Sequence, residues 1–306
     1  MSDALSWVDT HCHLDASEFK QILPQIVASA AAKGVQALLV PTVQVSDCDH
    51  TRQLAKQYRN QIPGLVFTLG IHPLYIGRAQ ESDIPLLKSQ IEQSIDDPQF
   101  VGIGEIGLDY FVEGLDPLRQ EYFFHAQLDL AEAFQLPVVL HVRRSQDAIL
   151  KALRKRKVPG GIAHAFNGSH QQAEQFIELG FKLGFGGAAT YERALQIRRL
   201  LVELPLDSIV TETDSPDIPP AWLRGEGGSF NEPALLPRIA QQLADIRGIS
   251  AQVFSLAVWQ NAMQALPRWS LLMTNQSGNS ISSGISSSTG SSTSTSAPNP
   301  NLPIAS

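Results

Sequence analysis

The chain has 306 residues, 43% of them hydrophobic, with 30 acidic against 23 basic side chains and a net charge of −7. That length admits two average domains or one large α/β barrel, and the acidity excludes a general nucleic-acid coat while leaving room for an enzyme that grips one or two phosphates locally. No apolar run is long enough to cross a bilayer, Met1 to Ala4 lack the start of a secretion signal, and Cys12 and Cys48 are too few for a disulfide scaffold, so the cytoplasm is the expected location.

Trp7-Val8 and Leu14 frame a short buried strand through Asp9-Thr10-His11-Cys12-His13. Side chains alternate faces along a strand, so His11 and His13 point the same way. Two imidazoles on one face suit a first-row metal, with a hydrogen-bonded pair at a strand end as the alternative. Glu18 to Lys33 reads as an amphipathic helix ending at Gly34, and residues 37–43 as a buried strand. The alternation continues with helices at about 46–59, 82–95, 117–135, 145–157, 171–179 and 191–203 and strands at about 66–73, 101–107, 137–143, 161–166, 181–185 and 208–214. Asp116-Pro117 is a strong helix start, a capping carboxylate before a first-turn proline. Eight short apolar strands alternating with helices predict a parallel (β/α)8 TIM barrel, with an open doubly wound sheet as the runner-up. Helices at about 233–247 and 250–266 complete the ring. Residues 1–272 form the expected barrel domain, and 273–306, rich in Ser, Thr, Gly and Asn, the expected disordered tail.

Five of the eight histidines, His11, His13, His72, His141 and His164, fall at carboxyl ends of predicted strands, together with Glu105 and Asp214. In a barrel that end carries the active site, and packing alone gives histidines no reason to gather there. The basic run from Lys151 to Lys157 sits on a helix leading away from that face and reads as solvated surface.

Asp9-Thr10-His11-Cys12-His13-Leu14, Gly70-Ile71-His72-Pro73, Gly104-Glu105-Ile106-Gly107-Leu108-Asp109, Leu140-His141-Val142-Arg143, His164-Ala165-Phe166-Asn167-Gly168 and Glu212-Thr213-Asp214-Ser215-Pro216 together resemble the TatD family of metal-dependent deoxyribonucleases, in the family's order and over about residues 7 to 266. The resemblance implies a two-metal centre in a (β/α)8 barrel. His11, His13 and Asp214 would bind one ion, His141 and His164 the other, and Glu105 would bridge them. Zinc, manganese, cobalt and magnesium are all compatible with such mixed ligands. The chain departs from the family pattern at Asp217 and at Phe230, so the loop from Pro216 to Glu232 is the part from which substrate preference transfers least.

Two divalent ions can clamp a phosphodiester and activate a water, and Asp214 is the candidate to hold and deprotonate that water, a purely ligating role being the alternative. His72, expected at the mouth, is a candidate phosphate contact or a loop anchor. Arg143 lies two residues beyond His141, hence on the same face, and its planar fork suits phosphate; an outward salt bridge is the rival. Counting back by twos places Glu212 below Asp214 and Asp9 below His11. One or both are expected to accept hydrogen bonds from the outer nitrogens of the metal-binding histidines, or else to belong to a network that only stabilises the barrel. The expected partner is DNA or a small phosphate-containing substrate, with no membrane and no obligate protein partner. The competing functions are hydrolysis of an amide, lactone or phosphate monoester by the same centre, and a non-catalytic scaffold, against which the intact ligand set argues.

Overall fold

In the computed structural model the described residues are 5–226 and 230–285, with backbone only for residue 224 and residues 277–285. Eight parallel strands follow one another in barrel order. They are β1 (Trp7–Asp9), β2 (Val35–Pro41), β3 (Gly64–Leu69), β4 (Phe100–Asp109), β5 (Val138–Arg143), β6 (Gly161–Ala163), β7 (Phe181–Phe185) and β8 (Ile209–Thr211). The segments that follow β1 and β8 close the cylinder. Thr10 N donates to Thr211 O at 3.0 Å, Asp214 N to His11 O at 2.8 Å and His13 N to Ser215 O at 2.9 Å. The architecture is therefore the (β/α)8 barrel that the alternation predicts. Its strands are buried on both faces, the inner face packing on itself and the outer under helices, which is why they read as continuous apolar runs.

The covering helices are α1 (Leu23–Ala32), α2 (Cys48–Tyr58), α3 (Asp83–Ser94), α4 (Pro117–Phe134), α5 (Gln146–Leu153), α6 (His170–Glu178) and α7 (Leu195–Glu203), followed by α8 (Ala221–Gly225), α9 (Leu236–Arg247), α10 (Ala251–Ala265) and α11 (Pro267–Ile285). Their ends obey local chemistry. Asp116 accepts hydrogen bonds from Leu118 N and Arg119 N at the start of α4, and Ser169 and Gln172 form a reciprocal capping pair on α6. The first helix is shorter than the pattern predicts. Residues 15–22 fold into turns instead, Pro24 opens the helix, and Asp15 to Glu18 are left at the mouth of the barrel.

The last helix differs more. The expected tail starts at residue 273, and α11 spans Pro267–Ile285 across that boundary. Its first turn is anchored under the barrel. Trp269 is fully buried and donates Nε1–H to Gly64 O at 2.9 Å, and Arg268 donates to the carbonyls of Ile95, Asp97 and Phe100. With a helix nucleated by such packing, each further residue adds a bond at little cost, so a polar sequence continues it. The remainder of the expected tail, residues 286–306, lies outside the described residues. Among the described residues no helix is long and apolar enough to cross a membrane. In the basic run, just past the end of α5, Arg154 bonds Gln175 and the largely covered Arg156 pairs with Asp129.

Candidate metal centre

At the carboxyl end of the strands, His11, His13, His72, Glu105, His141, His164 and Asp214 converge on one point, and Glu105 is at its middle. This carboxylate is fully buried on β4, and its two oxygens face different neighbours. Oε2 lies 3.0 Å from His11 Nε2 and 3.5 Å from His13 Nε2. Oε1 lies 2.9 Å from His164 Nε2 and 3.0 Å from both His141 Nδ1 and His72 Nε2. Asp214 stands over the first pair, with Oδ1 3.6 Å from His11 Nε2 and 3.7 Å from His13 Nε2. The donor atoms of three overlapping trios, His11/His13/Glu105, His11/His164/Asp214 and His72/Glu105/His141, lie close enough to share an ion.

Backbone explains how these side chains arrive there. Regular β1 stops at Asp9, but pairing with the segment after β8 keeps residues 10–13 extended, so His11 and His13 still point inward together. Gly107 on β4 has φ 152° and lies against the His141 backbone, where a Cβ would collide with its carbonyl. Asp214 itself adopts φ 55°, a left-handed turn that directs it over the histidines.

Hydrogen bonds assign the tautomers of two rings. His141 Nε2 is 2.9 Å from Asp109 Oδ2, so it carries the proton and Nδ1 presents a lone pair to the centre. That lone pair faces the anionic Oε1 of Glu105 at 3.0 Å, a repulsive contact unless a proton or a metal cation lies between them. His72 is the opposite case. Its Nδ1 accepts from Leu74 N at 3.1 Å, so the neutral ring carries its proton on Nε2 and meets Glu105 as a donor. His72 was expected at the mouth, but it is buried against Glu105, because the turn Pro73–Tyr75 tucks the ring back over the end of β3.

The charges at the centre are set by burial and by the two carboxylates. Burial pushes His13 down to about 4 and His11 well below its ordinary range, leaving both neutral. Burial opposes charge on His164 too, but Glu105 and Asp214 outweigh it and lift the imidazole to about 10. Asp214 is raised to about 7 by burial, with the Glu105 charge adding to the effect. Glu105 stays well below the carboxylate range because His72, His164 and His11 overcome its burial. Imidazoles crowded around one anionic carboxylate, His11 and His13 neutral and His164 holding a proton against Glu105, with a second carboxylate destabilised beside them, have the donor chemistry of a divalent-metal site.

Asp109, which counting by twos from Glu105 along β4 reaches, stands behind the His141 ring, a place the sequence pattern alone did not single out. Its carboxylate also accepts from Phe111 N and Val112 N at 2.8 and 2.9 Å, and these bonds with that from His141 outweigh burial and hold it down to about 2. Asp9 and Glu212 do not take the part expected of them. Asp9 is occupied by the Thr213 amide and hydroxyl and by His11 N. Glu212 accepts from Ala165 N at 2.5 Å, and the nearest ring nitrogen, His164 Nδ1, is 3.9 Å away, beyond hydrogen-bond reach. Arg143 is half-exposed at the rim, 3.9 Å from Asp109 Oδ2 and stacked 4.1 Å from the centre of the Phe111 ring. The centre opens into a cavity of about 1160 Å³ lined by His13, His72, Glu105, His141, His164 and Asp214, with Arg143 at its rim.

Comparison with known proteins identifies a common pattern. The profile of the family described as TatD related DNase matches residues 8–267. The chain is 36% identical to an uncharacterized metal-dependent hydrolase of Escherichia coli, YjjV, over 83% of this chain and 95% of that protein. It is 34% identical to a Klebsiella pneumoniae protein named 3'-5' ssDNA/RNA exonuclease TatD, covering 80% and 91% of the two chains. The crystal structure of the Escherichia coli protein superposes with a TM-score of 0.79 at 33% identity, covering 85% of this chain and 98% of that one.

Proposed function

The chain belongs to the TatD related DNase family, and from that premise we propose that it is a metal-dependent phosphodiesterase that shortens DNA from an end. The observation that carries this reading is the division of Glu105, with one oxygen toward His11 and His13 and the other toward His141 and His164. That division suits two divalent ions, one of which would be held by His11, His13 and Asp214 and the other by His141 and His164, with Glu105 shared between them. Ions held there supply Lewis acidity toward a phosphoryl oxygen and lower the pKa of water. The side chains do the rest. Asp214, at the edge of the cavity and partly open to it, orients the attacking water and accepts its proton. His72 Nε2–H steadies charge on the phosphate or on Glu105, and Arg143 grips a phosphate oxygen.

The named activity of the Klebsiella relative supports a nucleic-acid substrate, and so does the cavity. At about 1160 Å³ it exceeds the roughly 300–1,000 Å³ typical of small-ligand sites. Cys12 and Cys48 are buried and unpaired, which suits the reducing cytoplasm proposed as its location.

The test is to strip the protein with chelator, titrate zinc, manganese, cobalt or magnesium back, and assay a panel of linear single-stranded and duplex DNA, RNA, a phosphomonoester, a lactone and an N-acyl amino acid. Two ions per chain and progressive shortening of linear DNA are expected. Saturation at one ion would remove the bridging role of Glu105. Turnover of the lactone or the amide with DNA left intact would replace the phosphodiesterase reading.

A further inference from the structure

Charged side chains around the mouth of the cavity are segregated. The acidic ones outside the histidine centre, Asp15, Glu18, Asp47 and Asp217, come from the loops after β1, β2 and β8, which are neighbours in the barrel. Arg143, the last residue of β5, and Arg144 after it come from the opposite side, and among the described residues they are the only lysine or arginine side chains lining this cavity. Phe111, from the adjoining loop after β4, lies beside them and is 44% exposed.

The arginines are arranged rather than merely present. Consecutive residues of a strand face opposite ways, but Arg144 has φ 55°, a left-handed kink that brings it back beside its predecessor. Both guanidinium carbons therefore lie over one ring, at 4.1 Å for Arg143 and 4.6 Å for Arg144 from the Phe111 centroid. Stacking holds the planar groups while their N–H edges stay free for oxygen acceptors. Compensation is slight. The nearest carboxylate to Arg143 is Asp109 at 3.9 Å, and Arg144 makes no ion pair among the described residues. Two weakly compensated cations held ready beside a phosphodiesterase centre match two backbone phosphates, and the acidic loops opposite repel any that follow within a Debye length of about 8 Å.

Building on the nuclease reading, we propose that a single strand enters across the β4–β5 rim with its phosphates on Arg143 and Arg144. The β8–β1–β2 rim blocks its continuation past the cleaved bond, so that the site requires a strand end. Phe111 is a positioning residue that acts through the two guanidinium groups.

Three measurements on metal-loaded full chain test this. For a dT12 oligonucleotide, the Arg143→Ala/Arg144→Ala double variant should raise KM about 10-fold or more and flatten the slope of log KM against log salt by about 1.4, since each single-strand phosphate contact contributes about 0.7. On bis(p-nitrophenyl) phosphate, which has no neighbouring phosphates, the KM change should be several-fold smaller. Phe111→Ala should move oligonucleotide KM the same way, and Phe111→Tyr should restore it. The parent should spare covalently closed circular single strands, and Glu18→Gln/Asp217→Asn should increase their cleavage at least 5-fold. An unchanged salt slope, a Phe111→Tyr variant as impaired as Phe111→Ala, or circles cut by the parent as fast as linear strands would each overturn the assignment. A parent that cleaves neither diester overturns the nuclease reading itself, whereas a parent that cleaves both with an unaltered double variant removes only the arginine platform.

Discussion

His141 and His11 meet the same carboxylate from opposite sides of the barrel, and they are held there by different forces. His141 is fixed by a hydrogen bond from its outer nitrogen to Asp109, which is itself pinned by two backbone amides. His11 has no such partner. Its Nδ1 is buried without a hydrogen bond among the described residues, and its ring is held by stacking on His164, 3.8 Å between centroids and 10° from parallel. Its backbone is positioned by the pairing that closes the barrel, including Asp214 N to His11 O. One half of the centre is therefore oriented by a charged hydrogen bond and the other by packing and strand closure. A carboxylate behind an imidazole raises its basicity as well as aiming it, so the two proposed ions should bind unequally, the one at His141 more tightly for its number of ligands.

The largest effect should come from removing the group the two halves share. Glu105→Gln keeps the shape of the side chain but deletes the anion that faces both sets of nitrogens. Turnover should fall about 1,000-fold or more, because charge stabilisation worth several kcal/mol is lost and each 1.36 kcal/mol is tenfold. Metal titration should show both sites weakened. If one ion binds as in the parent, Glu105 serves a single half and the bridge is wrong.

A change that separates the halves comes next. Asp109→Asn keeps the shape but loses the charge, and its single amide oxygen can stay with the Phe111 and Val112 amides only by turning its NH2 group, which cannot accept, toward His141 Nε2. It should lower affinity for one of two ions by about 10- to 100-fold and leave the other near its parental value. Calorimetric titration with the parent and variant side by side resolves the two steps. Equal weakening of both ions, or a lowered melting temperature with parental metal binding, would mean that Asp109 serves the loop and not the ring.

These two residues also show how far the sequence could be read. The barrel was legible because parallel strands buried on both faces appear as short apolar runs, and the ligands were legible because strand ends collect in space. Glu105 stood out as a lone carboxylate inside such a run. Asp109 lies on the same strand and face, but β4 was expected to stop at Gly107, which hid its inward direction. His72 was misplaced for the converse reason. Its strand ends at Leu69, and the turn that follows, whose amide binds the ring, leaves no periodic signal. The helix at Pro267 was hidden because proline after an apolar stretch reads as a stop, whereas here it opens a helix whose Trp269 seals the core.

The smallest effect should be at Glu212, and it should appear in stability more than in metal binding. The carboxylate occupies space left by Gly184, where a Cβ would collide with it, and its Oε2 has no hydrogen-bond partner among the described residues. Burial raises its pKa to about 8 from the ordinary 4.5, more than the nearby His164 and the Ala165 amide lower it. Between those two values the folded, metal-free chain holds a proton that the unfolded chain releases. Stability therefore falls as pH rises across that window and is fully retained below it. Glu212→Gln mimics the protonated form at every pH. The metal-free variant should melt with the parent near pH 4 and about 2 °C or more above it near pH 9, provided that Gln keeps the bond from Ala165 N. Metal affinity should change well under the roughly 10-fold expected of a carboxylate that orients a ligand ring, because no ring nitrogen is in reach. A tenfold loss of metal affinity with no gain in alkaline stability would instead place Glu212 behind His164, closing the 3.9 Å gap when metal binds and giving the β6 side the kind of support that Asp109 gives β5.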